Sequence, residues 1–340
     1  MVMLVARLHG VSDLRISDEP VPVPGDGQSL VRMTAVGICG SDLHWWAEGG
    51  IGDALLRQPL VPGHEAAGIV AGGPRHGERV AIDPAIACGH CSLCLRGYRN
   101  LCVNIVFSGH GAQDGAMREF LAWPSRLLHP LPDSVSDEDG ALLEPLGVAI
   151  HAADLGHLKV AGSAAVAGCG PIGLLLIQVL RVAGTGKVIA FDPLAHRREA
   201  ALRLGADLAI DPGGADAVAE AIAAAEGEVD VAFEMAGTDG AVQVAIAVVR
   251  PGGRVVLGGI PDDDNIRFPA SVARRKGLTI ALVRRMNEVY QRAISLAVSG
   301  TVDLGIVSHR FGLSQATEAF ALAASRAGLK TIIEGVPRVV

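Results

Sequence analysis

The chain has 340 residues, of which 50% are hydrophobic and 19% are charged. This length exceeds what one hydrophobic core normally supports, so two domains are expected, and the low charged fraction argues against extended disorder. The formal net charge of −7 argues against a nucleic-acid-binding protein, because such proteins are usually basic. The densest basic cluster, Arg274-Arg275-Lys276, is short and is interpreted as a solvated face.

The apolar stretches are too short for a membrane helix. The longest strongly apolar stretch, Ile172–Ile177, has six residues, whereas a membrane-spanning helix needs about 20. The first ten residues include Arg7 and contain no long apolar region, so a signal peptide is not expected. We therefore predict a cytoplasmic protein that acts without a membrane and keeps its thiols reduced.

The first part of the chain, up to about residue 150, predicts mostly β structure. Its short apolar runs are separated by glycine and proline, and the predicted strands are Leu30–Val36, Ala66–Val70, Arg79–Ile82 and Arg118–Trp123. A helix should then begin at Ser136 or Asp137, because either residue can cap it and acidic residues fill its first turn.

From Ser163 the pattern alternates between strand and helix. The predicted strands are Ala164–Ala167, Val188–Phe191, Leu208–Ile210, Val229–Glu234 and Arg254–Leu257, with helices that include Gly173–Ala183 and Arg197–Leu204. Such alternation predicts an α/β fold with a doubly wound parallel sheet. A helix over Glu288–Val298, a strand near Val307 and a helix ending near Ala327 complete the chain.

Four of the six cysteines lie within 15 residues, at Cys88, Cys91, Cys94 and Cys102. The spacing Cys-x2-Cys-x2-Cys-x7-Cys suits a closed four-cysteine zinc site, which orders a loop and leaves no position open for substrate. Two local disulfides or an iron–sulfur cluster are the alternatives. Any chemistry must lie elsewhere.

A glycine-rich turn after the strand Ala164–Ala167 indicates a dinucleotide site. The GxGxxG is formed by Gly168, Gly170, Pro171, Ile172 and Gly173 around Cys169. The glycines permit a tight turn, a close approach to a pyrophosphate and close helix packing, while the helix amino terminus attracts phosphate. Asp192, 19 residues after Gly173, can bind a ribose diol and repel a 2′-phosphate, which favours NAD. Arg197 is predicted to bind the cofactor. Because Arg197 and Arg198 are cations close to Asp192 in the sequence, NADP remains an alternative cofactor.

Two further motifs, VGICGSDLHWW (Val36–Trp46) and PGHEAAG (Pro62–Gly68), carry candidate metal ligands. Together with LEPLGVAIHAA and VAGCGPIG, they make nearly the whole chain resemble the zinc-dependent medium-chain dehydrogenases. Within that family the order and spacing are similar to the polyol (sorbitol/xylitol-type) and idonate-type branch. The resemblance implies a GroES-like β-rich catalytic domain at 1–147 and 287–340, carrying the zinc lobe 88–102, and a Rossmann NAD-binding domain at 148–286.

The resemblance also implies the roles of individual residues. A catalytic zinc would be held by Cys39, His64 and a carboxylate, either Glu65 or Glu144, and Asp42 would orient His64. Ser41 would contact the substrate hydroxyl and His44 would relay its proton through the cofactor ribose. The substrate pocket would be lined by Trp45, Phe107, Arg284 and Arg285.

The chemistry expected of these residues is oxidation of a secondary hydroxyl to a ketone. A zinc with one open position lowers the pKa of a bound hydroxyl, which then becomes a good hydride donor to nicotinamide. The substrate would be a small polyol, sugar or sugar acid, since the adjacent cations Arg284 and Arg285 suggest an acidic group, although Arg285 could instead face solvent.

Alternatives remain at this stage. They are a zinc dehydrogenase of another alcohol or an amino alcohol (threonine-type), a non-catalytic cofactor-binding relative, and a redox sensor built on the thiol cluster. Ala71–His76 is shorter than the corresponding region of most relatives. A homodimer or homotetramer is expected, with the apolar strand Arg254–Gly259 and its neighbours as weak support.

Overall fold

The computed structural model describes residues 1–335. The strands, in chain order, are β1 (Val2–Gly10), β2 (Asp13–Pro20), β3 (Gln28–Gly37), β4 (Gly50–Ile51), β5 (Ala54–Leu55), β6 (Glu65–Val70), β7 (Arg79–Ile82), β8 (Ala85–Ile86), β9 (Val106–Phe107), β10 (Phe120–Pro124), β11 (Leu128–Pro130), β12 (Ser163–Ala167), β13 (Lys187–Phe191), β14 (Leu208–Ile210), β15 (Val229–Glu234), β16 (Val249–Leu257), β17 (Thr279–Leu282), β18 (Val307–Gly312) and β19 (Lys330–Glu334). The α-helices are α1 (Gly40–Glu48), α2 (Ser92–Leu95), α3 (Asp137–Gly156), α4 (Pro171–Val182), α5 (Ala195–Arg203), α6 (Ala217–Ala224), α7 (Asp239–Val248), α8 (Ala270–Lys276), α9 (Tyr290–Val298) and α10 (Ala316–Ala324).

The chain divides into two compact units. The first contains Met1–Glu144, Tyr290–Val298 and the described residues from Leu304 onward, and the second contains Pro145–Val289 and Ser299–Asp303. No helix within residues 1–335 is both long enough and apolar enough to cross a membrane.

The first unit is built on a largely antiparallel sheet. Its main path runs in the order β11-β7-β6-β3-β19-β18, and β10 also pairs with β3. Strand β3 is central because it pairs with β6 through Gly37 opposite Glu65 and with β19 through Gly37 opposite Ile332. The buried core of the first unit is apolar and includes Trp45 and Trp123, each 1% exposed. The β-rich character predicted for this region is therefore confirmed.

The second unit contains a six-stranded parallel sheet in the order β14-β13-β12-β15-β16-β17. The chain runs from β12 outward to β14 and then returns to β15 on the other side of β12. That reversal is the topological switch point of a doubly wound fold, where such sheets bind ligands beyond the carboxyl ends of their strands. The predicted α/β class, with a doubly wound sheet in one domain, is confirmed.

Several boundaries follow from local chemistry. Ser136 Oγ accepts the amide of Asp139 at 3.1 Å, which caps the start of α3. The helix predicted over Glu288–Val298 begins later, at Tyr290, because Glu288 adopts a left-handed φ of 54°. Thr238 caps α7 by accepting the amide of Ala241 at 3.3 Å.

The structure corrects the interpretation of Lys276 and locates the strand Arg254–Gly259 within its sheet. Lys276 is not a solvated cation: its Nζ donates to the carbonyls of Ile246, Ala247 and Val249 at 3.2, 2.7 and 2.6 Å, closing the end of α7. Strand β16, which contains most of Arg254–Gly259, is interior to the sheet, whereas its neighbour β17 is an edge strand. The sheet ends instead at β14 and β17.

Candidate metal centre and nucleotide loop

The three predicted ligands Cys39, His64 and Glu65 lie together in the first unit. One ligand atom of each, a thiol sulfur, a ring nitrogen or a carboxylate oxygen, lies within 4.8 Å of the others. Cys39 immediately precedes α1, His64 precedes β6 and Glu65 is the first residue of β6. Sulfur, imidazole and carboxylate are the donors that zinc takes in catalytic sites, so this group fits that ion with a position left open.

Asp42 connects the two segments that carry these ligands. Its Oδ2 accepts the amide of Cys39 at 2.9 Å and its Oδ1 accepts the amide of Gly63 at 3.0 Å. Oδ1 also lies 3.5 Å from His64 Nδ1. Burial opposes ionisation of Asp42, but His64 and the two amides hold the pKa of this carboxyl below its ordinary value. His64 Nε2 is thereby left for a metal.

Burial also opposes protonation of His64, yet the neighbouring Asp42 and Cys39 raise the pKa of its imidazole well above the ordinary value. Ser41 Oγ lies 3.4 Å from His64 Nε2, beside the nitrogen through which His64 would bind zinc. His44 lies on the same helix as Ser41, and its Nδ1 is 2.9 Å from Glu48 Oε1. Glu48 was not anticipated from the sequence, although its spacing four residues from His44 on a helix is a usable signal.

A buried lysine pairs with Glu65. Lys330 Nζ forms an ion pair with Glu65 Oε2, both side chains being 1% exposed, and donates to the carbonyl of Ile38 at 2.9 Å. Burial would lower the pKa of Lys330, but Glu65 and Cys39 raise it above the ordinary value. A Cβ at Gly37 would lie 2.1 Å from Glu65 Oε2 and 3.0 Å from Lys330 Cε, so only glycine leaves room for the pair.

Glu144, the other carboxylate considered as a ligand, is buried in the same unit. Burial raises the pKa of Glu144 to about 7, while His64 lowers it and Glu65 raises it. Glu144 is not in the group of ligand atoms that lie within 4.8 Å of one another among residues 1–335, whereas Glu65 is. The geometry therefore favours Glu65 as the third ligand.

A group of aromatic side chains lies on one side of this site, beginning with Phe107. The rings of Phe107 and His64 have centroids 5.2 Å apart, and those of Trp45 and His110 are also 5.2 Å apart. Phe107 and His110 are 6.5 Å apart edge to face, so His110 links the two predicted pocket residues. Arg284 and Arg285 belong to the second unit, where Arg284 is exposed and Arg285 is half-buried with a left-handed φ of 56°.

The four clustered cysteines converge at a second point in the first unit. All four sulfurs lie within 4.8 Å of one another, with Cys88 to Cys94 and Cys91 to Cys102 both at 4.0 Å. Zinc–sulfur bonds of about 2.3 Å in a tetrahedron place sulfurs about 3.8 Å apart, so the spacing fits zinc. All six cysteines lie in the described range and are free thiols, which disagrees with the disulfide alternative.

The electrostatics of this cluster prepare thiolates for a metal. The amides of His90 and Cys91 lower the pKa of the Cys88 thiol to about 6, and the pKa of Cys91 is also lowered, first by the amide of Cys94. Burial instead raises the pKa of Cys94 to about 12. The Cys88 thiol is therefore the one most easily deprotonated to bind a cation.

The glycine-rich turn lies in the second unit between β12 and α4, and close contacts require glycine at two of its three glycine positions. Gly168 adopts φ 100°, and a Cβ there would lie 2.8 Å from the amide nitrogen of Ala236. A Cβ at Gly173 would lie 2.0 Å from the carbonyl oxygen of Gly168. Gly170 faces open space except for Arg197 Nη1, which would be 3.8 Å from its Cβ. Pro171 is the first residue of α4, and Ile172 follows it.

Asp192 follows β13, and its carboxylate is turned into the glycine-rich turn. Oδ2 accepts the amide of Cys169 at 2.8 Å and Oδ1 accepts the amide of Leu194 at 2.9 Å. Arg198 Nη1 donates to the carbonyls of Asp192 and Pro193, each at 2.8 Å. The guanidinium of Arg198 therefore braces the main chain around Asp192.

Comparison with known proteins finds family matches along most of the chain. Residues 25–133 match the alcohol dehydrogenase GroES-like domain, and residues 171–299 match the zinc-binding dehydrogenase family. Sorbitol dehydrogenase of Homo sapiens is 35% identical over 97% of this chain and 95% of its own, and that of Bacillus subtilis is 34% identical over 93% and 92%. The crystal structure of L-idonate 5-dehydrogenase from Escherichia coli aligns with a TM-score of 0.91 at 26% identity, covering 98% of each chain.

Proposed function

The chain belongs to the zinc-dependent medium-chain dehydrogenases, and on that basis we propose that it oxidises a secondary hydroxyl of a polyol, sugar or sugar acid to a ketone with NAD. The observation that supports this proposal most strongly is that ligand atoms of Cys39, His64 and Glu65 lie within 4.8 Å of one another. The same chain also has the GxGxxG turn. The sorbitol and idonate dehydrogenases to which it is similar support the substrate class.

Cys39, His64 and Glu65 would hold the catalytic zinc, with Glu144 as the alternative third ligand. Bound zinc supplies a Lewis acid that lowers the pKa of a substrate hydroxyl, and bound NAD supplies the hydride acceptor. Asp42 fixes the orientation of His64 through Nδ1 and holds the chain on both sides of the site. Phe107 packs beside His64 and helps to exclude water.

Ser41 and His44 would carry the hydroxyl proton away. The hydroxyl of Ser41 lies beside His64 Nε2, where a substrate oxygen would approach the metal. Glu48 Oε1, 2.9 Å from His44 Nδ1, would hold the imidazole of His44 in a fixed orientation for this step. A His44→Ala variant with an unchanged rate and pH profile would count against this relay.

In the second unit, Gly168, Gly170, Pro171, Ile172 and Gly173 would receive the pyrophosphate. Pro171 begins α4, so the amides of that first turn are available for phosphate. Asp192 would bind the adenosine ribose, and Arg197, beside Gly170, would contact the same half of the cofactor. The carboxylate of Asp192 would repel a 2′-phosphate, which favours NAD over NADP.

Cys88, Cys91, Cys94 and Cys102 would hold a second, structural zinc. The 4.0 Å sulfur separations support this role. We further propose a cytoplasmic homodimer or homotetramer, in which the sheet edge β17 is a better candidate for pairing than the interior strand β16.

The test is NAD reduction by the zinc-replete protein with alditols, aldoses and aldonates, repeated after chelation of zinc. Zinc-dependent turnover of one group supports the proposal and identifies the substrate class. Preference for aldonates that disappears in Arg285→Ala would assign Arg285 to the substrate pocket, which is also where Arg284 is proposed to lie. Turnover that is indifferent to chelation, or absent for every secondary alcohol, would refute the proposed function.

A further inference from the structure

A buried carboxylate, Glu234, lies at the switch point of the parallel sheet. It is the last residue of β15, the strand that pairs with β12 on the side where the chain order reverses. Its side chain is 0% exposed. Glu234 is neither one of the metal-ligand candidates nor one of the residues of the GxGxxG turn, so its burial at a ligand-binding edge requires another explanation.

Glu234 organises the segment that follows it. Its Oε1 accepts the amides of Ala236 and Gly237, each at 2.6 Å. Its main-chain carbonyl accepts the amides of Gly258 and Gly259 at 2.8 and 3.2 Å. One residue therefore binds both the turn after β15 and the turn after β16.

The second carboxylate oxygen has a different environment. Oε2 is buried and has no hydrogen-bond partner within residues 1–335. Burial raises the pKa of Glu234, although the amides of Gly237 and Ala236 oppose the shift. The local structure therefore uses Oε1 as a hydrogen-bond acceptor for two amides.

The turn that Glu234 holds is in direct contact with the proposed cofactor loop. A Cβ at Gly168 would lie 2.8 Å from the amide nitrogen of Ala236, and Met235 N donates to the carbonyl of Ala167 at 2.7 Å. On its other side, a Cβ at Gly259 would lie 2.0 Å from the amide nitrogen of Gly237. Such close contacts leave the first glycine of the loop little freedom to move independently of the turn.

We propose that Glu234 is a positioning residue for the cofactor: by fixing the turn at 235–237, it holds Gly168 and the rest of the GxGxxG loop in the shape that receives the dinucleotide. Glu234 itself touches neither cofactor nor substrate. The inference rests on the proposed function, because it takes this loop to be the NAD site.

The test compares NADH affinity, by fluorescence titration, in Glu234→Ala, Glu234→Gln and wild type. Loss of two hydrogen bonds at the turn should raise the NADH Kd of Glu234→Ala by about ten-fold. Glu234→Gln keeps an accepting oxygen and should stay within about two-fold of wild type. At saturating NAD the kcat of Glu234→Ala should approach that of wild type, because the reacting groups are untouched.

Asp230→Ala is the matched control. Asp230 accepts the amide of Ser163 at 2.9 Å and pairs with Arg250 at 2.7 Å, at the opposite end of the same two strands. It should lower stability without changing the NADH Kd. An equal loss of affinity in Asp230→Ala, or a wild-type Kd in Glu234→Ala, would overturn the proposal.

Two further measurements test the proposal if Glu234→Ala does not fold or if wild type does not bind NADH. If Glu234→Ala does not fold, Glu234→Asp, whose carboxylate is one methylene shorter, should weaken NADH binding, and an unchanged Kd would refute the role. If wild type itself fails to bind NADH, the proposed function fails. Hydrogen exchange of the Ala236 and Gly237 amides in the cofactor-free protein then tests the role of Glu234 by itself. We expect Glu234→Gln to keep the wild-type protection of these amides and Glu234→Ala to lose it. Equal protection in both variants would refute the positioning role.

Discussion

Replacing Lys330 with methionine should destabilise the metal-free protein severely, because it isolates the buried carboxylate of Glu65. Both side chains are 1% exposed in the native pair. Removing one partner of a buried pair typically costs about 3–5 kcal/mol. The carboxyl can escape part of this cost by taking up a proton. Protonating a glutamate of ordinary pKa, about 4.3, at pH 7 costs roughly 2.7 × 1.36, or about 3.7 kcal/mol. We therefore expect a loss of about 3–4 kcal/mol at pH 7.

The effects of pH and of zinc on the stability of Lys330→Met distinguish this explanation from a general packing defect. Because protonation becomes easier as the pH falls, the deficit of Lys330→Met should shrink by about 1.4 kcal/mol per pH unit between pH 7 and 5. Zinc should also reduce the deficit, since a bound dication would compensate Glu65 in place of the ammonium. The double variant Lys330→Met/Glu65→Gln should recover most of the loss, because neither position of the former pair then carries a buried charge.

Urea unfolding followed by tryptophan fluorescence is a suitable assay. All three tryptophans, Trp45, Trp46 and Trp123, belong to the first unit, as does the ion pair. Lys276→Met, in the second unit, is a matched lysine control that should leave the fluorescence transition in place. A Lys330→Met protein that unfolds at the wild-type urea midpoint without metal, or whose deficit is the same at pH 5 and pH 7, would refute the reasoning.

Three further changes test separate parts of the structure. Glu65→Gln should lose the catalytic zinc while Glu144→Gln retains it, because only Glu65 lies within 4.8 Å of the Cys39 and His64 donors among residues 1–335; metal analysis with the reverse result would assign Glu144 as the ligand. Cys94→Ser should lower bound zinc from about two ions per chain to about one and lower the melting temperature, and an unchanged zinc content would exclude a four-cysteine site. Lys276→Met should destabilise the second unit by about 2 kcal/mol, through lost bonds to the end of α7; unchanged amide-exchange protection of α7 would contradict this.

The second unit was largely predictable because its signals are local. The strands Leu208–Ile210 and Val229–Glu234 have the predicted bounds, since each is a short apolar run bordered by turn residues. The glycine-rich turn could be interpreted from the sequence because a positive φ at Gly168 and close packing at Gly168 and Gly173 restrict those two positions to glycine. What the pattern could not supply was the role of Glu234, which looks like an ordinary strand-ending residue until β16 is placed beside it.

The first unit was less predictable because its pairings are distant in sequence. The hairpin of β1 and β2 was not anticipated, since its strands mix charged and apolar residues with only partial alternation. Lys330 was missed for a related reason: its partner Glu65 is remote in the chain. A lysine in the same short strand as the apolar pair Ile332 and Ile333 is nevertheless a usable signal, because lysine is seldom buried without a partner.

The placement of β19 beside β3 has a consequence for how the protein is made. Gly37 pairs with Ile332, so the central strand of the first unit acquires one of its neighbours only after roughly 300 further residues have been synthesised. The second unit, continuous over Pro145–Val289 apart from Ser299–Asp303, emerges from the ribosome within that interval and can fold first. Until β19 arrives, Glu65 lacks its ammonium partner, and the nascent chain exposes an incomplete sheet. We expect this interval, rather than the assembly of the parallel sheet, to be the stage at which chaperones engage the newly made chain.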